Sequence, residues 1–152
     1  MTYKILNLDE DKSLHKKAAE WFSSKWDLDA AIYLESISST ELIPSWFVVL
    51  DEAKNKIVAG AGVISNDFHD RPDLTPNLCA LYVEEDYRGK RISERLIDEI
   101  GHYLNSQGIE TLYLITDHVG LYEKYGWEFN TMVKEDETGQ SIRLYEKTLN
   151  LI

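Results

Sequence analysis

The feature that most constrains the fold is an amphipathic segment, residues 90–107, which directly follows an apolar stretch and a short basic turn. Because its apolar side chains recur at helical spacing, they form one stripe and predict a helix packed on a core. Gly108 stands where a C-cap glycine is expected. The apolar run 78–83 predicts a strand before the turn. The stripe consists of Ile92, Leu96, Ile97, Ile100, Tyr103 and Leu104.

Further strands and helices are predicted on both sides of this strand, turn and helix. The hydrophobic pattern predicts helices at 11–26, 27–39 and 120–125, with Asp27 as the N-cap of the second. The order of elements predicts a mixed α/β sheet with helices on both faces. Since the 152 residues contain no repeat or linker, residues 1–152 are predicted to form a single domain. The predicted strands are 3–8, 45–50, 57–65, 78–83, 111–116, 127–133 and 141–149.

Composition narrows the class of protein and of partner. The net charge of −11 argues against nucleic-acid binding, because an acidic surface repels a phosphate backbone. The charge favours cationic small molecules or basic peptides by steering, or it only supports solubility. The one cysteine, Cys79, excludes an intramolecular disulfide and a zinc site built on paired cysteines, and no metal is predicted. The sequence shows no membrane span or signal peptide and so predicts a cytoplasmic protein without a membrane partner.

The basic turn, residues 88–93, is the best candidate for a phosphate site. Arg88, Lys90 and Arg91 place three cations within four residues of an otherwise acidic chain. The first N–H groups of the following helix lack intrahelical partners and attract anions together with the helix dipole. The alternative is a solvated basic turn. A second glycine pair, Gly60 and Gly62, lies within a predicted strand, where it indicates a bulge or room for a ligand beside the sheet.

Two segments resemble the signatures of the GNAT superfamily of acetyltransferases. Residues 78–90 resemble the central motif of that family, a strand followed by R-x-x-G-x-G/A and a helix. Residues 121–127 resemble its second signature, a short aromatic helix that ends in glycine and an aromatic residue. Arg88 matches the motif arginine, whereas Arg91 and Ser93 stand at the two positions of small residues. Glycine at such positions lets a backbone approach a pyrophosphate closely, so these side chains either join in binding or crowd the site.

The resemblance implies a GNAT-like acyl-CoA N-acyltransferase fold, with a central and mostly antiparallel sheet. It also implies acetyl-CoA as cosubstrate and acetyl transfer to a primary amine by direct attack in a ternary complex. The alternative is an inactive module of the same fold that binds coenzyme A or a protein partner. His118 or Asp117 is a candidate for the pantetheine contact that the family gives to an asparagine, and the alternative is that Asp117 or Thr116 only caps the short helix. The resemblance assigns Leu81, Tyr82 and Val83 to the pantetheine arm, and Arg88, Gly89, Lys90, Arg91, Ile92 and Ser93 to the phosphates.

Tyr122 and His69 are the candidate catalytic residues. Tyr122 matches the family tyrosine that protonates the departing thiolate, and the alternative is a core aromatic, a role that suits Tyr125 and Trp127 better. The family base positions on the central strand hold Thr75, Asn77 and Cys79, none of them a base. The candidate base therefore lies in the loop 67–70, where His69 has neighbouring carboxylates. The alternative is that His69 is a solvated loop histidine. Glu84, Glu35 or a chain of water molecules are weaker choices for the base. Cys79 is not expected to act as a nucleophile, because no histidine partner is identifiable.

The acceptor side is predicted in the helical segment 11–39 and the loop 66–77. Acidic side chains there, including Glu35, Asp67 and Asp70, would attract a cation. Four aromatic residues either line that side or belong to the core. The acceptor stays open between a small amine, an antibiotic, a peptide N-terminus and a protein lysine, and so does a homodimer. The four aromatic residues are Trp21, Trp26, Tyr33 and Trp46.

Overall fold

The computed structural model describes residues 2–149. It contains seven strands and three α-helices, joined in places by short 3₁₀ helices. The helices are α1 (His15–Lys25), α2 (Ala30–Ile37) and α3 (Ile92–Ser106). Among the described residues, no helix is both long and apolar enough to cross a membrane. The strands are β1 (Tyr3–Asn7), β2 (Ser45–Asp51), β3 (Lys56–Ile64), β4 (Asn77–Val83), β5 (Thr111–Thr116), β6 (Glu128–Lys134) and β7 (Ser141–Thr148).

The strands form one sheet in the order β1-β2-β3-β4-β5-β7-β6. Pairing is antiparallel for β1 with β2, β2 with β3, β5 with β7 and β6 with β7. The pairing of β4 with β5 is parallel, with Asn77 opposite Tyr113. The predicted mixed and mostly antiparallel sheet with flanking helices is therefore confirmed.

The chain divides into two compact units, and the prediction of a single domain stays a prediction. One unit holds residues 2–63 and 80–99, and the other holds residues 64–79 and 100–149. In the first unit, Phe22 of α1 stacks on Tyr33 of α2 and meets Trp46 edge to face, with ring centroids 5.6 and 4.9 Å away. In the second unit, Val133, Ile142 and Leu144 form a small apolar cluster under β6 and β7.

The two glycines of β3 make room for these aromatic rings. A Cβ atom on Gly60 would lie 2.7 Å from Phe22 and 2.9 Å from Trp21, and one on Gly62 would lie 2.4 Å from Trp46. No real Cβ approaches another atom so closely, so only glycine fits at either position. The chain's own aromatic side chains fill the space beside both glycines, so the predicted room for a ligand there was wrong.

The helix boundaries differ from the predicted ones in ways that capping explains. The predicted helix 11–26 begins only at His15, because Asp11 caps a preceding 3₁₀ turn instead. The second helix begins after Asp29, whose carboxylate accepts a hydrogen bond from the N–H of Ala31 at 3.0 Å. Asp27 is therefore not its cap, and that prediction was wrong. The predicted helix at 120–125 is a 3₁₀ helix, Tyr122–Tyr125.

The helix α3 follows the predicted stripe closely. Five of its apolar side chains are buried, so this face lies in the core as the periodicity predicts. Its outer face carries charged residues such as Glu94, Asp98 and Glu99. The buried side chains are Ile92, Leu96, Ile97, Ile100 and Leu104.

Candidate active site

The basic turn is held at the end of β4 by a chain of backbone hydrogen bonds. The N–H of Glu84 donates to the carbonyl of Val58 on β3 at 2.8 Å, which continues the strand pairing past Val83. The next residues, Glu85–Tyr87, form a 3₁₀ helix in which Tyr87 N–H donates to Glu84 at 2.9 Å. The turn at 88–93 follows immediately, and α3 begins inside it at Ile92.

Two residues of the basic turn have a left-handed backbone. Gly89 has φ of 78° and Arg91 has φ of 60°. Nothing lies within 4 Å of a Cβ built on Gly89, so glycine serves conformation there and not space. Arg91 stands at a position where the family motif has glycine, and this φ is uncommon for a residue with a side chain. The carbonyl of Arg91 accepts the N–H of Arg95 at 3.1 Å, which closes the first turn of α3.

The side chains of the turn divide into an anchor and an exposed basic group. Ile92 is buried and attaches the turn to the core, while Ser93 is half-buried. Lys90 and Arg91 are exposed. Arg88 folds back on β4, where its Nε donates to the carbonyl of Val83 at 2.9 Å. Its guanidinium also lies 5.3 Å from the centroid of the Tyr82 ring.

A buried polar pair, Asp51 and Tyr87, supports the turn from below and was missed by the sequence reasoning. The Tyr87 hydroxyl donates to the Asp51 carboxylate at 2.6 Å, and the two residues are only 3% and 1% exposed. Asp51 ends β2, 36 positions before Tyr87, so no local pattern joins them. The hydrogen bond from Tyr87 lowers the pKa of Asp51 and raises the pKa of Tyr87 to about 12.

Tyr122 lies in the second unit, at the first position of a 3₁₀ helix that ends at Gly126. Its ring meets Trp127 and Tyr145 with centroid distances of 6.1 and 6.4 Å. Burial raises the pKa of its phenol above the ordinary value, so the group carries its proton at neutral pH. Trp127 is buried, as predicted for a core aromatic, whereas Tyr125 is 39% exposed and does not fill that role.

The structure places His69 in the second unit as a buried and fully hydrogen-bonded side chain. The N–H of Arg71 donates to Nδ1 at 3.1 Å, so the other ring nitrogen, Nε2, donates to Asn77 Oδ1 at 2.6 Å. His69 is 2% exposed. Its backbone N–H donates to Asn66 Oδ1, and its carbonyl accepts a hydrogen bond from Asn66 Nδ2. With both nitrogens engaged, the geometry favours a structural role over the predicted base role, which stays a prediction.

Asp67, two positions before His69, has the electrostatics of a base. Burial, reinforced by repulsion from Glu135, raises the pKa of its carboxyl to about 6. A carboxylate with a pKa near neutrality both accepts and releases a proton readily. Burial also raises the pKa of the Cys79 thiol well above its usual range, and a thiol that stays protonated is a poor nucleophile.

The loop 66–77 is tied to β6 and is more ordered than its polar composition indicates. Asp70 accepts the N–H of Lys134 at 2.9 Å and donates its own N–H to the Lys134 carbonyl at 3.0 Å. The N–H of Asp136 donates to the carbonyl of Phe68 at 2.9 Å. These bonds fix the backbone around Asp67 and His69.

The remaining predicted site residues are distributed over both units. Leu81, Tyr82 and Val83 are half-buried and belong to the first unit with the basic turn. His118 is exposed in the second unit, and its N–H donates to Thr116 Oγ1 at 3.1 Å. Of the four aromatic residues predicted for the acceptor side, Tyr33 and Trp46 are buried in the core, Trp21 is half-buried and Trp26 is 39% exposed.

Comparisons with known proteins agree with this architecture. The model of the acetyltransferase (GNAT) domain family matches residues 44–129, more than half of the chain. A comparison with curated protein sequences finds no significant match. The chain therefore belongs to the GNAT family, and it is an acetyltransferase.

Solved structures of such enzymes share the fold at low identity. An acetyltransferase of the GNAT family from Staphylococcus aureus Mu50 is 20% identical, with a TM-score of 0.70 over 98% of this chain and 100% of that chain. An aminoglycoside 6′-N-acetyltransferase complexed with coenzyme A is 18% identical, with a TM-score of 0.73 over 100% and 99%. The ribosomal-protein-S18-alanine N-acetyltransferase of Escherichia coli is 13% identical, with a TM-score of 0.69 over 99% and 96%.

Proposed function

We propose that this acetyltransferase moves an acetyl group from acetyl-CoA to a primary amine by direct attack in a ternary complex. The observation that carries the proposal is the basic turn, where two left-handed residues and three cations precede an α-helix of 15 residues. Free N–H groups at a helix start and nearby cations suit the phosphates of a nucleotide cofactor. The structural likeness to an enzyme solved with coenzyme A supports the same cofactor.

The cofactor would be held by backbone and side chains of the first unit. Arg91 and Lys90 are exposed and free to reach phosphate oxygens, while Arg88 is held against β4 by its bond to Val83. Ser93 would add a hydroxyl donor near the helix start. The backbone of 81–83 would pair with the pantetheine arm, and His118 is a further candidate for contact with that arm.

Tyr122 and Asp67 are the residues proposed for proton transfer. Burial raises the pKa of the Tyr122 phenol, so the group is protonated at neutral pH and would donate to the departing thiolate. The carboxylate of Asp67 would take the proton of the amine, directly or through water. His69 would support Asp67 by holding Asn77, whose Oδ1 also accepts the N–H of Asp67 at 3.3 Å.

The acceptor is proposed to be a cationic amine. A chain with a net charge of −11 attracts cations from solution. A structural relative acts on aminoglycosides and another acetylates a protein alanine, and both acceptors are amines. The basic turn is the exception on this acidic chain. It would attract the anionic cofactor, whereas the acidic side chains elsewhere would attract the cationic acceptor.

A thiol-release screen with acetyl-CoA and a panel of amines tests the proposal. The panel should contain an aminoglycoside, a polyamine, lysine and a peptide with a free N-terminus. Thiol release that depends on one of these amines would support the proposal. A protein that binds coenzyme A but releases thiol with none of them would favour an inactive module instead. The cytoplasmic location and the homodimer stay predictions, and light scattering after size-exclusion chromatography tests the second.

A further inference from the structure

Two lysine ammonium groups from different parts of the first unit lie close to the ring of Tyr87. Nζ of Lys90, in the basic turn, lies 5.5 Å from the ring centroid. Nζ of Lys56, the first residue of β3, lies 5.3 Å from the same centroid. Both lysine residues are exposed. Lys56, at the start of β3, and Lys90, in the basic turn before α3, therefore contact the same aromatic ring.

The ring of Tyr87 is rigidly held. Tyr87 is buried, and its hydroxyl is bound to Asp51 at 2.6 Å. Asp51 in turn accepts the backbone N–H groups of Ala53 and Lys54 at 3.1 and 3.4 Å. The same carboxylate thus shapes the β2–β3 turn that presents Lys56 and fixes the aromatic ring beside the basic turn. The position of Lys56 relative to Lys90 is built into this unit.

The two ammonium groups are not neutralised by the protein. Within residues 2–149, neither Lys56 nor Lys90 forms an ion pair, whereas Lys25 is paired with Glu84 and Arg71 with Asp73. Two cations held close to one ring leave a local positive potential that attracts an anion. In a chain of net charge −11, a pair of unpaired cations next to a basic turn indicates an anionic ligand.

We propose that Lys56 is a further phosphate ligand for acetyl-CoA and acts together with Lys90. The inference rests on the proposed function, since it extends the cofactor site from the basic turn to the β2–β3 turn. The ligand chemistry is a phosphate group, which in coenzyme A is either the diphosphate or the 3′-phosphate. Lys56 lies outside both family motifs and 34 positions before Lys90, so only the fold connects them.

Isothermal titration calorimetry of the protein with coenzyme A and with 3′-dephospho-coenzyme A tests the role of Lys56. Lys56→Ala is expected to raise the Kd for coenzyme A about twofold to fivefold, the effect of one partly screened charge contact. Lys56→Arg keeps the charge and should restore most of the affinity. Lys54→Ala is the matched control, because it removes an exposed ammonium from the same turn, and its Kd should equal that of the wild type.

The two coenzymes identify the phosphate group. If Lys56 binds the 3′-phosphate, the penalty of Lys56→Ala disappears with 3′-dephospho-coenzyme A. If it binds the diphosphate, the penalty is the same with both. A wild-type Kd that Lys56→Ala leaves unchanged for both ligands would overturn the inference while leaving the proposed function intact. A wild-type protein that binds neither ligand would overturn both, and the thermal unfolding midpoint of each variant checks that it is folded.

Discussion

Arg91 combines a left-handed backbone with a side chain suited to phosphate binding. An L-residue in this conformation is destabilised by about 1 kcal/mol relative to glycine. The φ of 60° therefore explains, without a ligand, why the family motif has glycine at this position. The charge of Arg91 is a reason for the chain to keep this strained residue. One substitution at this position should therefore change the free energy of unfolding and the affinity for the cofactor in opposite directions.

Arg91→Gly is expected to stabilise the fold and weaken the cofactor site. Removing the strained side chain should raise the free energy of unfolding by about 0.5–1 kcal/mol. Loss of the guanidinium should raise the Kd for coenzyme A several-fold. Thermal unfolding and titration calorimetry measure the two effects. Arg91→Ala is the control, because it removes the guanidinium but keeps an L-residue at a φ of 60°, so its Kd should rise as in Arg91→Gly without the gain in stability. Unchanged affinity in Arg91→Gly would show that the side chain makes no phosphate contact.

Tyr122→Phe tests the acid role at the scale of a single hydroxyl. The ring would keep its contacts with Trp127 and Tyr145, so the fold should be unaffected. We expect kcat to fall about 10²-fold, the usual contribution of a positioned acid, with little change in the Kd for coenzyme A. Tyr125→Phe, at an exposed tyrosine of the same 3₁₀ helix, is the control. Wild-type turnover in Tyr122→Phe would refute the assignment.

Ionisation of Asp67 should produce the rise of kcat/KM on the acid side of the pH–rate profile. The same ionisation should make the stability of the fold depend on pH. As a base it must be ionised, so kcat/KM should rise with pH through about 6, and Asp67→Asn should remove that limb. Its pKa is raised on folding, so the native state binds this proton more tightly than the unfolded state does. The associated stability is present below about pH 4 and is lost as the pH rises through about 6.

The two effects of Asp67 can be measured on one variant. At pH 7, Asp67→Asn should be more stable than the wild type by about 2–3 kcal/mol, and the difference should fall below about 1 kcal/mol at pH 4. Urea denaturation at both pH values measures it. His69→Gln is the comparison for the base role, since glutamine keeps part of the hydrogen bonding of the ring. An acid limb that survives in Asp67→Asn and disappears in His69→Gln would assign the base to His69.

At the scale of the element, the packing of α1 against β3 decides where glycine is required. Gly60→Ala places a methyl group 2.7 Å from Phe22 and 2.9 Å from Trp21, and both rings are held by further aromatic contacts. We expect a loss of about 1–3 kcal/mol in the free energy of unfolding, the usual effect of overpacking a core. Denaturant unfolding checks this value. A variant as stable as the wild type would mean that α1 shifts easily on the sheet.

The elements also differ in how well local sequence predicts them. The stripe of α3 is set by a 3.6-residue period, and five of its six predicted residues are buried, with Tyr103 half-buried. The start of α2 was misplaced because Asp27 and Asp29 are equally good caps, and only the path of the chain selects Asp29. The loop 66–77 has a polar composition, yet its backbone is bound to β6, a pairing between residues more than 60 positions apart.

At the scale of the whole molecule, the net charge of −11 should act on the rate at which substrates arrive. Long-range attraction is screened beyond a Debye length of about 10 Å at 0.1 M salt. We therefore expect kcat/KM for a polycationic amine to fall as ionic strength rises from 20 to about 300 mM, and kcat to change little. Steady-state kinetics with a monocationic amine provide the comparison, because its dependence on salt should be weaker. Equal salt dependence for both amines would argue against steering.

The sequence by itself determined the family, the mostly antiparallel α/β sheet and the position of the basic turn. These follow from local signals, namely periodicity, turn residues and charges that stand next to each other along the chain. The tertiary structure decided which side chains support the turn and which titrate. Asp51 and Lys56 meet Tyr87 only because the β2–β3 hairpin lies beside the segment that follows β4, and His69 meets Asn77 because the loop 66–77 folds back on the start of β4. Burial depends on those neighbours, so the raised pKa of Asp67 could not be read from its local sequence.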